Sequence, residues 1–170
     1  FGFFEKIKVV PVSISYEYDP TDILKIPELL AKSRDEKYVK SENEDFVNLL
    51  RGIMGTKKRI HIQVNGGMDQ EIQEIAASAL SQSEKLTQLA DQIDLKIWNG
   101  YKLWPSNYIS FDLLYQTAEH QHCYTPEEKA AFQKRLKEKV DINNPTLLEN
   151  FLSMYAYPVQ NSKKAQNTLN

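Results

Sequence analysis

The residues of this chain with chemistry to offer are few. His120-x-His122-Cys123 places three soft ligands within four positions. A zinc site needs a fourth ligand or an open water position, normally from a separate segment. The remaining histidine, His61, lies far away in sequence. The segment therefore reads as a polar loop ahead of a capped helix. Glu17, Asp19 and Asp22 gather acidic oxygens near a strand end. Such oxygens suit a hard cation, but helix capping and dipole complementation explain them more simply. Asn65-Gly66-Gly67 has the turn chemistry that ends a strand and fits no phosphate fingerprint. No metal and no cofactor are expected.

The elements that must position these groups are two strands and a series of helices. The first strand covers about residues 6–16 and contains the β-branched run Val9-Val10-Pro11-Val12-Ser13-Ile14. An apolar run of this kind belongs inside a sheet with other strands beside it. Pro11 removes one ladder donor. The second strand covers residues 59–64. There Ile60, Ile62 and Val64 alternate with Arg59, His61 and Gln63, which predicts one buried face and one wet face. Two strands do not make a stable sheet alone. The expected fold is thus α/β: a predominantly helical fragment, its two strands belonging to a larger sheet, with helices packed on that sheet.

Helix signals fill the rest. Asp19-Pro20 predicts a start running to about Lys32, with Pro27 as a kink. Ser41-x-x-Glu44 opens a helix with Phe46, Leu49, Leu50 and Ile53 on its apolar side, stopped by Gly55. Residues 69–80 form a short helix. Ser81-x-x-Glu84 opens the longest one, expected to end at Trp104-Pro105. Another follows to about Leu114. Thr125-Pro126-Glu127-Glu128 combines a cap, an N1 proline and a capping-box glutamate, giving a helix over 126–140. A last helix runs from Asn144-Pro145 to about Tyr157-Pro158. Residues 159–170 are expected to be a flexible tail. Trp98, Tyr101, Trp104, Tyr108, Phe111 and Tyr115 recur at steps of three and four, as a packed aromatic stripe would.

Composition narrows the function classes. The chain has 170 residues, 41% of them hydrophobic, and a formal net charge of -2. No global basic field attracts nucleic acid, so none is expected as a partner. One cysteine rules out an internal disulfide framework. No apolar run reaches the roughly 18 residues that span a bilayer.

Val10-Pro11-Val12-Ser13-Ile14 resembles the fourth sequence block of the glycerolipid acyltransferases, the 1-acylglycerol-3-phosphate acyltransferase family. The continuation Ser15-Tyr16-Glu17-Tyr18-Asp19-Pro20 resembles a bacterial branch of it. So do Tyr101-Lys102-Leu103-Trp104-Pro105-Ser106-Asn107-Tyr108-Ile109 and Met154-Tyr155-Ala156-Tyr157-Pro158. The resemblance implies that residues 1–158 are the C-terminal part of an acyltransferase domain, with Pro11 and Ser13 among its substrate-binding residues. The parent would move a fatty acyl group from an acyl thioester to a glycerol phosphate or lysophosphatidate hydroxyl. It would be cytoplasmic, in peripheral contact with the inner face of the membrane.

The family's catalytic His, with an Asp five positions on, is absent, as are its Glu-Gly-Thr-Arg run and substrate-binding Arg. His122 and Glu127 have the right separation. Glu127, however, serves the first turn of a helix, and a general base needs a positioned substrate and an orienting partner. The chain alone is therefore expected to be inactive, with no catalytic residue of its own. Its first strand, short of neighbours, is expected to self-associate through an exposed edge or to be covered by its own helices. The alternative is a non-enzymatic helical module for interaction or regulation.

Overall fold

The computed structural model describes residues 1–169. The chain forms two compact units, each assembled from separated segments: residues 1–15, 61–102 and 161 onward in the first, and residues 16–60 and 103–160 in the second. Two strands, β1 (Val12–Tyr16) and β2 (Ile60–Val64), form one antiparallel pair. Seven α-helices accompany them among the described residues: α1 (Ile26–Ser33), α2 (Glu44–Met54), α3 (Asp69–Ala77), α4 (Gln82–Asn99), α5 (Pro105–Leu114), α6 (Pro126–Lys139) and α7 (Pro145–Leu169). The chain is mostly helical, as its capping signals indicate.

In the first unit, Met68, Ile72, Ile75 and Leu89 form the core, with Phe1, Phe4, Val9 and Ile93 against it. These come from α3, α4 and the first residues of the chain. The α4 N-terminus carries the full capping box, Ser81 with Glu84. Its end lies at Asn99, earlier than Trp104-Pro105 implies. Gly100 takes over the last carbonyls instead, donating to Lys96 and Ile97.

The β pair is shorter than expected and faces the other way. Pro11 has no N–H to donate, and β1 begins just after it. The Pro11 carbonyl accepts from Asn65 N–H, and Glu17 N–H donates to Arg59 at the other end. That register sets Val12 opposite Val64 and Ile14 opposite Ile62. These side chains stay exposed: 44% and 49% for Val12 and Ile14, 60% and 63% for Ile62 and Val64. The face expected to be buried is the open one. The face enclosed by the chain carries Ser13, whose hydroxyl donates to the Ile97 carbonyl at 2.8 Å. Ser15 Oγ accepts from Lys102 N–H on the same side.

In the second unit, Tyr18, Ile26, Ile109, Phe132, Leu136, Val140, Phe151, Leu152 and Tyr155 make the main core. Phe132, Phe151 and Tyr155 stack mutually, at centroid separations of 5.3 to 6.4 Å. Phe111, Ala156 and Val159 form a satellite. The α6 N-terminus has the Thr125/Glu128 capping box. A 3-10 turn at Asp22–Lys25 precedes α1. Pro27, expected as a kink, is the second residue of α1, where a missing N–H costs nothing.

Residues 159–169, expected as a flexible tail, continue α7 through Pro158. An interior proline costs a helix about 3 kcal/mol. Burial of Phe151, Leu152, Tyr155, Ala156, Val159 and Ala165 along one helix outweighs that. Asn170 lies outside the described residues. The aromatic stripe is uneven: Phe111 is buried, Trp98, Tyr101, Trp104 and Tyr108 are half-buried, and Tyr115 is exposed.

Candidate functional site

Three separated segments meet in the second unit. Ser106 Oγ donates to the Glu17 carbonyl at 2.6 Å. Asn107 Nδ2 donates to the Tyr155 carbonyl at 2.9 Å. Asp19 N–H donates to the Tyr155 hydroxyl at 3.0 Å. Ser106, Asn107 and Tyr155 are all buried. Pro105 sets the first turn of α5, and the Asn107 side chain accepts from Trp104 N–H to start the helix. The residues flanking Pro105 thus spend their polar groups on tying three segments together.

Two buried carboxylates anchor this knot. Glu17 is 3% exposed and meets Arg59 Nε at 2.7 Å and Lys58 Nζ at 3.2 Å. Burial alone would raise its pKa. The hydrogen bonds and charges of Arg59 and Lys58 outweigh burial and hold it below the usual carboxylate range. Lys58 takes a left-handed backbone, φ 54, and its Nζ lies 4.6 Å from the Tyr18 ring centre. Arg59 also lies over the Trp104 ring at 4.8 Å.

Asp22, 1% exposed, receives Arg135 at 2.5 Å and the Tyr155 hydroxyl at 2.8 Å. Burial first, and then the Asp22 charge, push the Tyr155 hydroxyl far above its ordinary pKa. Arg135 in turn covers the other reach of Tyr18, 4.6 Å from its ring centre. Asp19 binds Thr21 N–H and Oγ1 and pairs with Lys25. Each of the three acids is committed to a cation and to donors. Among the described residues no group of three His, Cys, Asp or Glu is placed to hold a metal. Asp19 does not cap a helix as expected: the helical turn begins at Asp22 with Thr21 at its N-cap, and Asp19 instead fixes the bend before it by accepting from Thr21. The ion pairs of Glu17 and Asp22 have no sequence signal, because their partners lie 41 to 113 residues away.

The histidine segment is structural. Its residues 121–123 form a 3-10 turn. The His120 ring sits 5.1 Å from Tyr108 and 5.0 Å from Phe111. Its backbone N–H points to the buried Asp112 carboxylate, which also accepts from Thr117 Oγ1 and from Tyr124. No hydrogen bond or ion pair joins His122 to Glu127 among the described residues.

Pro11 and Ser13 lie elsewhere, in the first unit. Both are buried. Asn65 Nδ2 reaches the Pro11 carbonyl at 3.2 Å and Ser13 Oγ at 3.4 Å. Their polar atoms are occupied by the chain itself.

Beside the knot, in the second unit, lies a cleft of about 560 Å³. Pro20, Ile23, Leu24, Val47, Leu50 and Met54 line it, together with Arg51 and Lys139. A second hollow of about 390 Å³ shares Ile23, Leu24, Val47 and Arg51. Apolar walls with a few charged groups, at this volume, are what small-molecule sites use. Arg51 carries no sequence signal, whereas Lys139 falls at the basic end of the helix predicted over 126–140.

No family model, curated protein or solved structure matches the chain.

Proposed function

We propose that this chain is the C-terminal region of a glycerolipid acyltransferase and supplies structure, not the catalytic pair. The observation that carries the reading is the knot. The resemblance rests on residues 10–14 with their continuation 15–20, on 101–109 and on 154–158. They are distant in sequence, yet Glu17, Asp19, Ser106, Asn107 and Tyr155 bond directly to one another.

Two further features agree. The open β-branched face of β1 and β2 suits strands that complete a larger sheet. The cleft beside Pro20 has the walls for an acyl chain and cations for a phosphate or carboxylate. In this reading a His and Asp from another segment deprotonate a glycerol phosphate or lysophosphatidate hydroxyl for attack on an acyl thioester. By the same resemblance Pro11 and Ser13 are among the substrate-binding residues. The assembled enzyme works in the cytoplasm, at the inner face of the membrane.

Thiol release from an acyl thioester tests this. The chain alone should give none with glycerol phosphate or lysophosphatidate. Joined to a segment that carries His-x4-Asp and then Glu-Gly-Thr, it should turn over. Release by the chain alone that disappears in His122→Ala would overturn the assignment. Failure of the joined protein, though folded, would favour the non-enzymatic module.

A further inference from the structure

Asparagine followed by glycine occurs twice in the chain, at Asn65-Gly66 and Asn99-Gly100. Such a pair is chemically labile. The glycine amide nitrogen attacks the asparagine side-chain carbonyl, and glycine has no β-carbon to hinder the approach. The fold treats the two pairs differently. Asn99 is the last residue of α4, and Gly100 is buried. The Gly100 N–H donates to the Lys96 and Ile97 carbonyls at 3.2 and 3.1 Å. Its nitrogen is thus engaged, and its backbone is held by the last helical turn.

Gly66 is the opposite case. It lies in the irregular stretch 65–68 between β2 and α3, and it is exposed. The main chain of this stretch is pinned at its ends: Asn65 N–H donates to the Pro11 carbonyl and Met68 N–H to the Val9 carbonyl, each at 3.0 Å. Among the described residues the Gly66 N–H has no hydrogen-bond partner. A β-carbon on Gly66 would meet nothing within 4 Å. The Asn65 side chain is held loosely. Its Nδ2 reaches the Pro11 carbonyl at 3.2 Å and Ser13 Oγ at 3.4 Å, at and beyond the long end of the hydrogen-bond range.

We propose that Asn65 is a site of spontaneous deamidation that loosens the end of the β pair. The Gly66 nitrogen gives up its proton and bonds to Asn65 Cγ. The bond from Cγ to Nδ2 breaks, and the amide nitrogen leaves with that proton as ammonia. Water then opens the cyclic imide at either carbonyl, giving aspartate or isoaspartate at position 65. Either product replaces a neutral donor with a carboxylate. In the aspartate form its oxygens face the Pro11 carbonyl and Ser13 Oγ, and the Ser13 hydrogen is already spent on the Ile97 carbonyl. Acceptors then oppose acceptors where β2 leaves the ladder. The isoaspartate form also inserts a methylene into the main chain between Val64 and Gly66. This stands apart from the acyltransferase reading, since it rests on amide chemistry alone.

Ageing the full chain in warm, mildly alkaline buffer tests it, with tryptic peptides resolved by mass and by chromatographic separation of aspartate from isoaspartate. Trypsin puts the two pairs on different peptides, 60–85 and 97–102, and Asn65 is the only asparagine on the first. Peptide 60–85 should convert, with isoaspartate among its products, while 97–102 keeps its amide. In urea, with the fold gone, both should convert. Gly66 has no positive φ and open space around it. Gly66→Ala should therefore leave the urea midpoint of fresh protein unmoved, yet slow conversion at 65, because its methyl hinders ring closure. Aged protein and Asn65→Asp should both show a lowered urea midpoint. An Asn65 amide that survives ageing in the folded chain overturns the proposal. So does equal conversion at Asn99 in the folded chain, or conversion at 65 that Gly66→Ala leaves unchanged. A midpoint that stays put in both aged protein and Asn65→Asp overturns the loosening of the β pair.

Discussion

Gly100 packs against Ser13 with no room for a side chain between them. A β-carbon there would lie 3.0 Å from Ser13 Cβ, 3.2 Å from Gln63 Cγ and closer still to Ser13 Oγ. The backbone itself is ordinary, at φ -82, so the requirement for glycine is steric. Gly100→Ala should cost about 1–3 kcal/mol by overpacking, read as a lower urea midpoint. An unchanged midpoint would show that the strand gives way freely.

Arg135→Met should be more damaging. It leaves Asp22 buried without its cation, a loss of about 3–5 kcal/mol. Replacing both partners, as Arg135→Met with Asp22→Leu, should recover part of that loss, because no uncompensated charge remains. A double-mutant cycle in urea measures the coupling. If the double variant is no better than the single, the pair itself is not what Asp22 depends on.

Acid should weaken the fold through Glu17. Its folded pKa lies below the ordinary value, so its ionised form favours the native state above that value. The contribution is lost as pH falls through the depressed folded value. Asp19 acts in the same direction. The urea midpoint should therefore drop as pH falls from about 5 to about 3. Glu17→Gln should flatten part of this slope and cost about 1–3 kcal/mol near neutrality. An unaltered slope in that variant would remove Glu17 from the account.

Alkali should act through tyrosine. Burial first, and then the hydrogen bond to Asp112, push the Tyr124 hydroxyl up to about 12. The folded state favours the neutral phenol. Its contribution is full below the ordinary value of about 10 and is lost as pH rises through the folded one. Stability should decline between those limits, and Tyr124→Phe should lessen the decline. Phenolate absorbance should show one fewer late-titrating tyrosine in the variant.

Local chemistry was largely legible. Ser81/Glu84 and Thr125/Glu128 cap the helices they announce, because a capping box depends on residues three apart. Pro105 and Pro145 also start helices where expected. What failed was orientation. Ile60, Ile62 and Val64 have the alternation of a half-buried strand, but alternation does not say which face is covered. The same holds for Phe46, Leu49 and Ile53, whose stripe faces solvent. Packing decided against local propensity at Pro158, where a buried helix face carries the chain through a residue that normally ends one. The knot of Glu17, Ser106, Asn107 and Tyr155 was invisible, since its bonds join positions 48 to 136 residues apart.

The interleaved assembly of the two units bears on how the chain is made. Neither unit is a continuous stretch: the first awaits residues 161 onward, and the second awaits 103–160. A ribosome adds about 5–20 residues per second. The second core therefore waits for Phe151, Leu152 and Tyr155, late in synthesis, whereas the first core needs nothing beyond Ile93. The open β-branched pair and the outward face of α2 are displayed throughout that interval. Long-range closure of this kind slows folding, so yield should depend on chaperone supply and temperature during expression more than on final stability.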